Sequence, residues 1–295
     1  MKTVLIYFLV LLISAVGYGQ PFNQQTEING TPHLIAKISK ERLAQEPFSM
    51  WFHKNFDDYQ PDPQAVAQLK EKLNDYTITL FMGTWCGDSK REVPRFYKVL
   101  QEADFPLERL TNVAVGRERN NYKQSPGGEH EGLNIHRVPT FILYKDGKEV
   151  NRIVEHPVES LEEDLTNIIG GNYKPNYAIV SLADQMLEDY GVEKFDRKLK
   201  RIAGKLKAHS TKLSELNTYS SVLLYSGKSD EALTISRLNA LLYPDDYYVY
   251  YNLGNKLAHI GKKEEALHQY QKALQLKPED ERVQKAMEIL QRNDS

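Results

Sequence analysis

Met82-Gly83-Thr84-Trp85-Cys86-Gly87-Asp88-Ser89-Lys90, MGTWCGDSK, holds the only cysteine of the 295-residue chain. Into it runs YTITLFMG (Tyr76–Gly83), rich in β-formers and read as a buried strand. Out of it runs SKREVPRFYKVLQEA (Ser89–Ala103), a helix by the spacing of Phe96, Val99 and Leu100, with Pro94 expected to kink it. Cys86 therefore stands at a strand-to-helix junction. There its sulfur meets the free N–H groups and the positive end of the helix dipole. Lys90 and Arg91 add positive charge within a turn, and Asp88 opposes it modestly. Such surroundings favour thiolate, the reactive form of cysteine.

Outward from this junction the elements alternate. HLIAKI (His33–Ile38) reads as a short strand, and EPFSMWFHKNF (Glu46–Phe56) carries aromatics at helical spacing. Asp62-Pro63 opens a helix as N-cap and first-turn residue, with Val66, Leu69 and Leu73 on its buried face. TNVAVG (Thr111–Gly116) is a strand. RVPTFILYKDGKEVNRIVE (Arg137–Glu155) is a hairpin turning at Asp146-Gly147. PVESLEEDLTNII (Pro157–Ile169) is a closing helix ended by Gly170-Gly171. The order is β-α-β-α-β followed by β-β-α.

Over residues 62–172 this order resembles the thioredoxin fold. TWCGDSK resembles the WCxxCK segment of that family, with Ser89 in the second-cysteine position. VPTFILYKDGKEV resembles its cis-proline strand and hairpin. The resemblance implies an α/β thioredoxin-like fold, three layers about a central mixed sheet. It implies Cys86 as nucleophile, flanked by Trp85, Ser89 and Lys90, and Val138, cis-Pro139 and Thr140 as the strand that meets a substrate peptide. Two departures stand out. Ser89 cannot resolve a mixed disulfide, so an external thiol reductant would have to do so. Where the family keeps a buried Asp on the central strand, this chain has Leu80. Both a monothiol exchange enzyme acting on protein thiols and disulfides and a non-catalytic adaptor fit these residues. A thiol sensor oxidised at Cys86 is a third reading. Ser89 is expected either to hydrogen-bond the sulfur or to cap the helix. His130, Glu131 and His136 precede the proline strand and read as surface residues, His136 being the one placed to approach the sulfur.

Beyond GNYKPN the pattern is helical to the end. Phe195, Leu199, Ile202 and Leu206 are spaced as one amphipathic helix, with a basic opposite face expected to be solvated. Then a 34-residue period appears, in Gly227/Gly261, Ala232/Ala266 and Pro244/Pro278. Leu253-Gly254, Gly261, Ala266, Tyr270, Ala273 and Pro278 resemble the tetratricopeptide (TPR) repeat. The expected division is a leader at 1–19, a thioredoxin-like domain at 20–172 and an all-α TPR-like repeat domain at 173–295. Repeats are expected near 213–246 and 247–280, with a capping helix at 281–292. In such units Tyr248, Tyr251, Asn255 and His259 line a groove that holds a protein partner.

The charge balance, 38 Lys+Arg against 40 Asp+Glu, gives no net basic surface for nucleic acid. Val4–Val16 is an uncharged apolar run behind Lys2, shorter than the roughly 20 residues of a membrane span. With Gly17-Tyr18-Gly19 it reads as a secretory signal cleaved after Gly19, placing the chain in the periplasm or outside the cell without a membrane span. No metal-ligand spacing or nucleotide loop stands out, and no cofactor is expected.

Overall fold

The computed structural model describes residues 22–292. The expected leader lies outside the described residues. The first part of the chain folds as β1 (Gln24–Ile28), β2 (Thr31–Lys37), α1 (Lys40–Leu43), α2 (Ser49–Asp57), α3 (Pro63–Lys72), β3 (Thr77–Met82) and α4 (Gly87–Glu102). β4 (Leu110–Ala114), β5 (Thr140–Lys145), β6 (Lys148–Val154) and α5 (Leu161–Ile169) complete it. The strands form a six-stranded sheet in the order β1-β2-β4-β3-β5-β6. β3 and β4 are parallel, joined by α4 as the crossover, and every other neighbouring pair is antiparallel.

Alternation along the central strands divides the core. Ile78, Leu80 and Met82 of β3, with Phe141 and Leu143 of β5, meet Phe52, Leu69, Phe96, Leu100 and Leu165 from the helices. The intervening residues Phe81 and Ile142 face the other way. There the covering layer is a long loop, residues 115–139, which supplies Val115, Ile135 and Val138. Helix α4 runs unbroken through Pro94. Pro94 has no N–H for the Lys90 carbonyl four residues back. Asn55 of α2 supplies the missing donor, its Nδ2 lying 3.1 Å from that oxygen.

Two elements differ from the expectation. β1 carries no strand signal of its own, because its residues are almost all exposed and show no apolar alternation. Its signal was the turn: Asn29 and Gly30 both take positive φ, 51° and 73°, the pairing that a tight two-residue hairpin demands. The strand at the Val138-Pro139 segment begins only at Thr140, so Val138 and Pro139 sit in the loop that enters β5.

The helical part comprises α6 (Ala178–Arg197), α7 (Leu199–Leu206), α8 (Ser214–Tyr225), α9 (Ser229–Leu242), α10 (Tyr247–His259), α11 (Lys263–Leu276) and α12 (Glu281–Arg292). The single helix expected over 195–206 is two segments. The backbone leaves helical geometry at Lys198, so Phe195 lies in the last turn of α6, beyond a kink at Gly191 (φ 68°), while Ile202 and Leu206 belong to α7. All three remain buried. Helices α8/α9 and α10/α11 are consecutive antiparallel-type pairs of the 34-residue period, and the small residues of the pattern set their spacing. A Cβ on Gly254 would lie 2.5 Å from Cε1 of Tyr270 and 3.3 Å from the Ala266 carbonyl. Tyr270 cannot swing away freely, because its hydroxyl donates to Asn255 Oδ1 at 2.8 Å. Gly254→Ala is therefore expected to cost about 1–3 kcal/mol by overpacking. A urea midpoint equal to that of the parent protein would refute this contact as the reason for the glycine.

Candidate functional site

Cys86 is the N-cap residue of α4, in extended geometry, and its backbone carbonyl accepts from Lys90 N–H at 3.0 Å. Its side chain caps nothing. The sulfur is half-buried, and Sγ lies 3.2 Å from the Val138 carbonyl oxygen, to which the thiol donates. The Val138–Pro139 peptide is cis. Thr140 is buried, and its hydroxyl donates to the Arg137 carbonyl at 2.8 Å, bracing the turn that presents Val138. Trp85 packs beside Cys86, its Nε1 donating to the Val115 carbonyl at 2.9 Å. The structure thus brings Trp85, Cys86, Val138, Pro139 and Thr140 together from two distant stretches of chain.

Ser89 does neither of the things expected of it. It is fully buried, and its Oγ accepts from the Gly83 N–H at 3.1 Å, tying the first turn of α4 to the end of β3. Arg91 is also committed elsewhere. Its guanidinium is 2.8 Å from Asp88 and 2.5 Å from Glu92, so its charge is balanced on the helix surface rather than offered to the sulfur. Lys90 is half-buried beside the site. Leu80 is in the core.

The largest correction concerns the loop of residues 115–139. His136 is a core residue, 4% exposed. Its ring meets Tyr177 and Tyr219 edge-on, with centroids 5.8 and 6.2 Å away, and its Nδ1 lies 3.2 Å from the Asn134 carbonyl. Burial pushes its pKa down to about 3. Lys123, unremarked in the sequence, is equally buried at 5% exposure. Its Nζ donates to the His136 carbonyl at 2.8 Å and to the Tyr122 hydroxyl at 3.1 Å. Burial pushes its pKa down to about 7. No periodic signal marks either residue, because the loop has no regular repeat of buried positions.

The same loop docks on the helices. Arg137 pairs with Glu155 at 2.9 Å and also donates to the Ser214 carbonyl at 3.1 Å. Gln124 donates to the Tyr225 carbonyl at 2.9 Å, and the Tyr122 and Tyr225 rings meet edge-to-face. Glu155 also accepts from the Tyr177 hydroxyl.

On α10, Tyr248, Tyr251, Asn255 and His259 share one face. The Tyr248 and Tyr251 rings meet tilted, as do those of Tyr251 and Tyr270, and His259 meets Tyr225 of α8 edge-on. His259 is exposed and the other three are half-buried. Asn255 is already engaged by Tyr270.

A cysteine at the start of the helix that follows a central parallel strand, opposite a cis-proline loop, defines a thioredoxin-like protein. The comparisons agree. The chain is 33% identical over 89 residues to thioredoxin Asp f 28 of Aspergillus fumigatus, covering 30% of this chain and 73% of that protein. It is 29% identical over 97 residues to mitochondrial thioredoxin-3 of Saccharomyces cerevisiae, covering 33% and 68%. It is 32% identical over 74 residues to the thioredoxin of Chlamydia caviae, covering 25% and 63%. The tetratricopeptide repeat family matches residues 247–280. The chain belongs to the thioredoxin family and carries a TPR region behind its thioredoxin-like part.

Proposed function

We propose that this chain is an exported monothiol exchange protein, in which Cys86 forms mixed disulfides with cysteine-bearing proteins that the TPR region helps to hold. The observation that carries this reading is the half-buried Cys86 sulfur at the start of α4, 3.2 Å from the carbonyl that precedes cis-Pro139. An extended peptide can pair with the backbone there while its disulfide meets the sulfur. The Cys86 thiolate attacks one sulfur of the substrate disulfide. A new S–S bond forms at Cys86, and the other substrate sulfur leaves as thiolate. Cys86 is the only cysteine of the chain, so the chain offers no second thiol. Release needs attack by a substrate thiol, which completes an isomerisation, or by an external small thiol. Tyr248, Tyr251, Asn255 and His259 are the face assigned to partner binding, and residues 20–172 and 173–295 the two domains. The run Val4–Val16 supports export to the periplasm or the exterior.

Incubation of the mature protein with a scrambled-disulfide substrate tests the reading. Substrate refolding and a mixed disulfide at Cys86 are expected, and Cys86→Ser is expected to reduce both to background while leaving partner capture intact. If Cys86→Ser leaves every measured property unchanged, the protein is an adaptor that uses the fold only as a surface.

A further inference from the structure

The proposed exchange creates and removes a negative charge at Cys86, and a half-buried site needs a way to balance it. We propose that Lys123 is the charge-balancing and proton-carrying partner of Cys86, an ammonium while the sulfur is a thiolate that gives up its proton when the sulfur is capped. This inference rests on the exchange reading above.

Lys123 is held for such a role by geometry. Its Nζ is anchored 2.8 Å from the His136 carbonyl, two residues along the same segment from the Val138 carbonyl that receives the Cys86 thiol. The ammonium has three N–H donors, and its two acceptors, the His136 carbonyl and the Tyr122 hydroxyl, are neutral. A buried ammonium without an anion is unfavourable. The backbone pays as well: Lys123 takes φ 58°, left-handed geometry that a lysine rarely adopts. Strain at a non-glycine residue with a buried charge marks a constrained position.

The surrounding charges leave Cys86 as the natural counterion. Arg137 opposes the ammonium, while Cys86 and Glu155 favour it, Cys86 the more strongly. Glu155 is taken by Arg137 and the Tyr177 hydroxyl. The field of Cys86 also reaches the Tyr122 hydroxyl beside Lys123. The His136 ring next along is neutral under burial. From α8, Tyr225 packs on Tyr122. From α6, Asp184 and Glu188 line the cavity of about 570 Å3 that Lys123 also borders, as do His130 and Glu131 of its own loop and Lys228.

The exchange step then balances within the site. Before it, the Cys86 thiolate and the Lys123 ammonium sum to zero. The thiolate attacks the substrate disulfide, the Cys86–S bond forms, the substrate S–S bond breaks, and the departing sulfur leaves as thiolate. That thiolate takes the Lys123 proton, directly or through water, and leaves as a thiol. After it, a neutral mixed disulfide faces a neutral amine. No charge is stranded in the buried site on either side of the reaction. When an external thiol arrives to release Cys86, the amine takes its proton and the reverse sequence runs.

The test follows the Lys123 Nζ resonance against pH in the full mature protein labelled with 15N-lysine. The reduced form is compared with one capped by methyl methanethiosulfonate, which puts a neutral S-methyl group on Cys86. Capping is expected to lower the Lys123 midpoint. Lys123→Met is expected to slow capping at pH 7 by about tenfold, the effect of a charge interaction worth one logarithmic unit. Lys123→Arg, which keeps the charge, is expected to restore most of that rate. An identical Lys123 midpoint in the reduced and capped proteins overturns the proposal, whether or not the variants fold. So does a folded Lys123→Met protein capped at the parental rate. A Lys123 midpoint that follows capping in a protein that exchanges no protein disulfides would uphold this pair and refute the proposed function alone.

Discussion

Lowering the pH from 6.5 toward 3 is expected to remove stability from the seam around His136. An unfolded chain takes up a proton on this imidazole near its ordinary value of 6.5, whereas the folded chain holds it neutral down to about 3. Below pH 6.5 the unfolded state binds more protons, so stability falls as pH falls and is complete only above 6.5. At pH 5 the gap is about 1.5 logarithmic units, a loss of about 2 kcal/mol from this one residue. The cause is burial. The ring sits among Tyr177, Tyr219 and its own loop, and protonation would add a further cation to Lys123, Arg137 and Arg152, which all disfavour it. His136→Phe keeps a flat ring against the two tyrosines and removes the titration. Urea midpoints at pH 7 and pH 5 read the effect, since carboxylate contributions are common to both proteins. The parent is expected to lose about 2 kcal/mol more than the variant over that interval. Equal losses would show that His136 is solvated or protonated in the folded protein.

Tyr219→Ala is expected to be more costly still, by about 3–5 kcal/mol, the range for removing a large buried ring. Tyr219 is 1% exposed, in the α8 position where the repeat pattern of the next unit has Leu253. Its ring closes one side of the His136 pocket, and its hydroxyl donates to Asp184 of α6. Truncation leaves a void between the loop and the helices and strips Asp184 of its donor. Tyr219→Phe separates the two effects. It preserves the packing and loses only the hydrogen bond to a carboxylate, about 1.5–3 kcal/mol. Denaturant unfolding of the three proteins gives the ordering. An alanine variant within 1 kcal/mol of the parent would mean that the loop does not depend on α8 for its packing.

These two residues also show how far the sequence could be read. The junction at Cys86 was legible because a β-former run and an amphipathic helix flank it, and both signals are local. Pro139 was legible through its motif. The repeat was legible because stacked units need the same small residues at the same spacing, as Gly254 against Tyr270 illustrates. His136 and Lys123 were not. A loop has no period, so a histidine or lysine in it carries no mark of burial. Its environment is decided by Tyr177, Tyr219 and Tyr225, which lie some 40 to 100 residues further along. The arrangement of Ser89 is not local to its sequence either. Its residue type suits both a cap and a thiolate partner, and only the approach of the Gly83 amide at the end of β3 selects a third arrangement.

The sequence by itself determined the order of strands and helices, the place of the single thiol at a helix start, and the 34-residue helical repeat. Each follows from periodicity, propensity or spacing along a few neighbouring turns. Only the tertiary structure decided that a loop forms the second cover of the sheet, that this loop is wedged against α8, and that it buries a lysine and a histidine beside the sulfur's segment. Burial of a polar side chain is a property of what packs on it from elsewhere, and that information is not local to the residue.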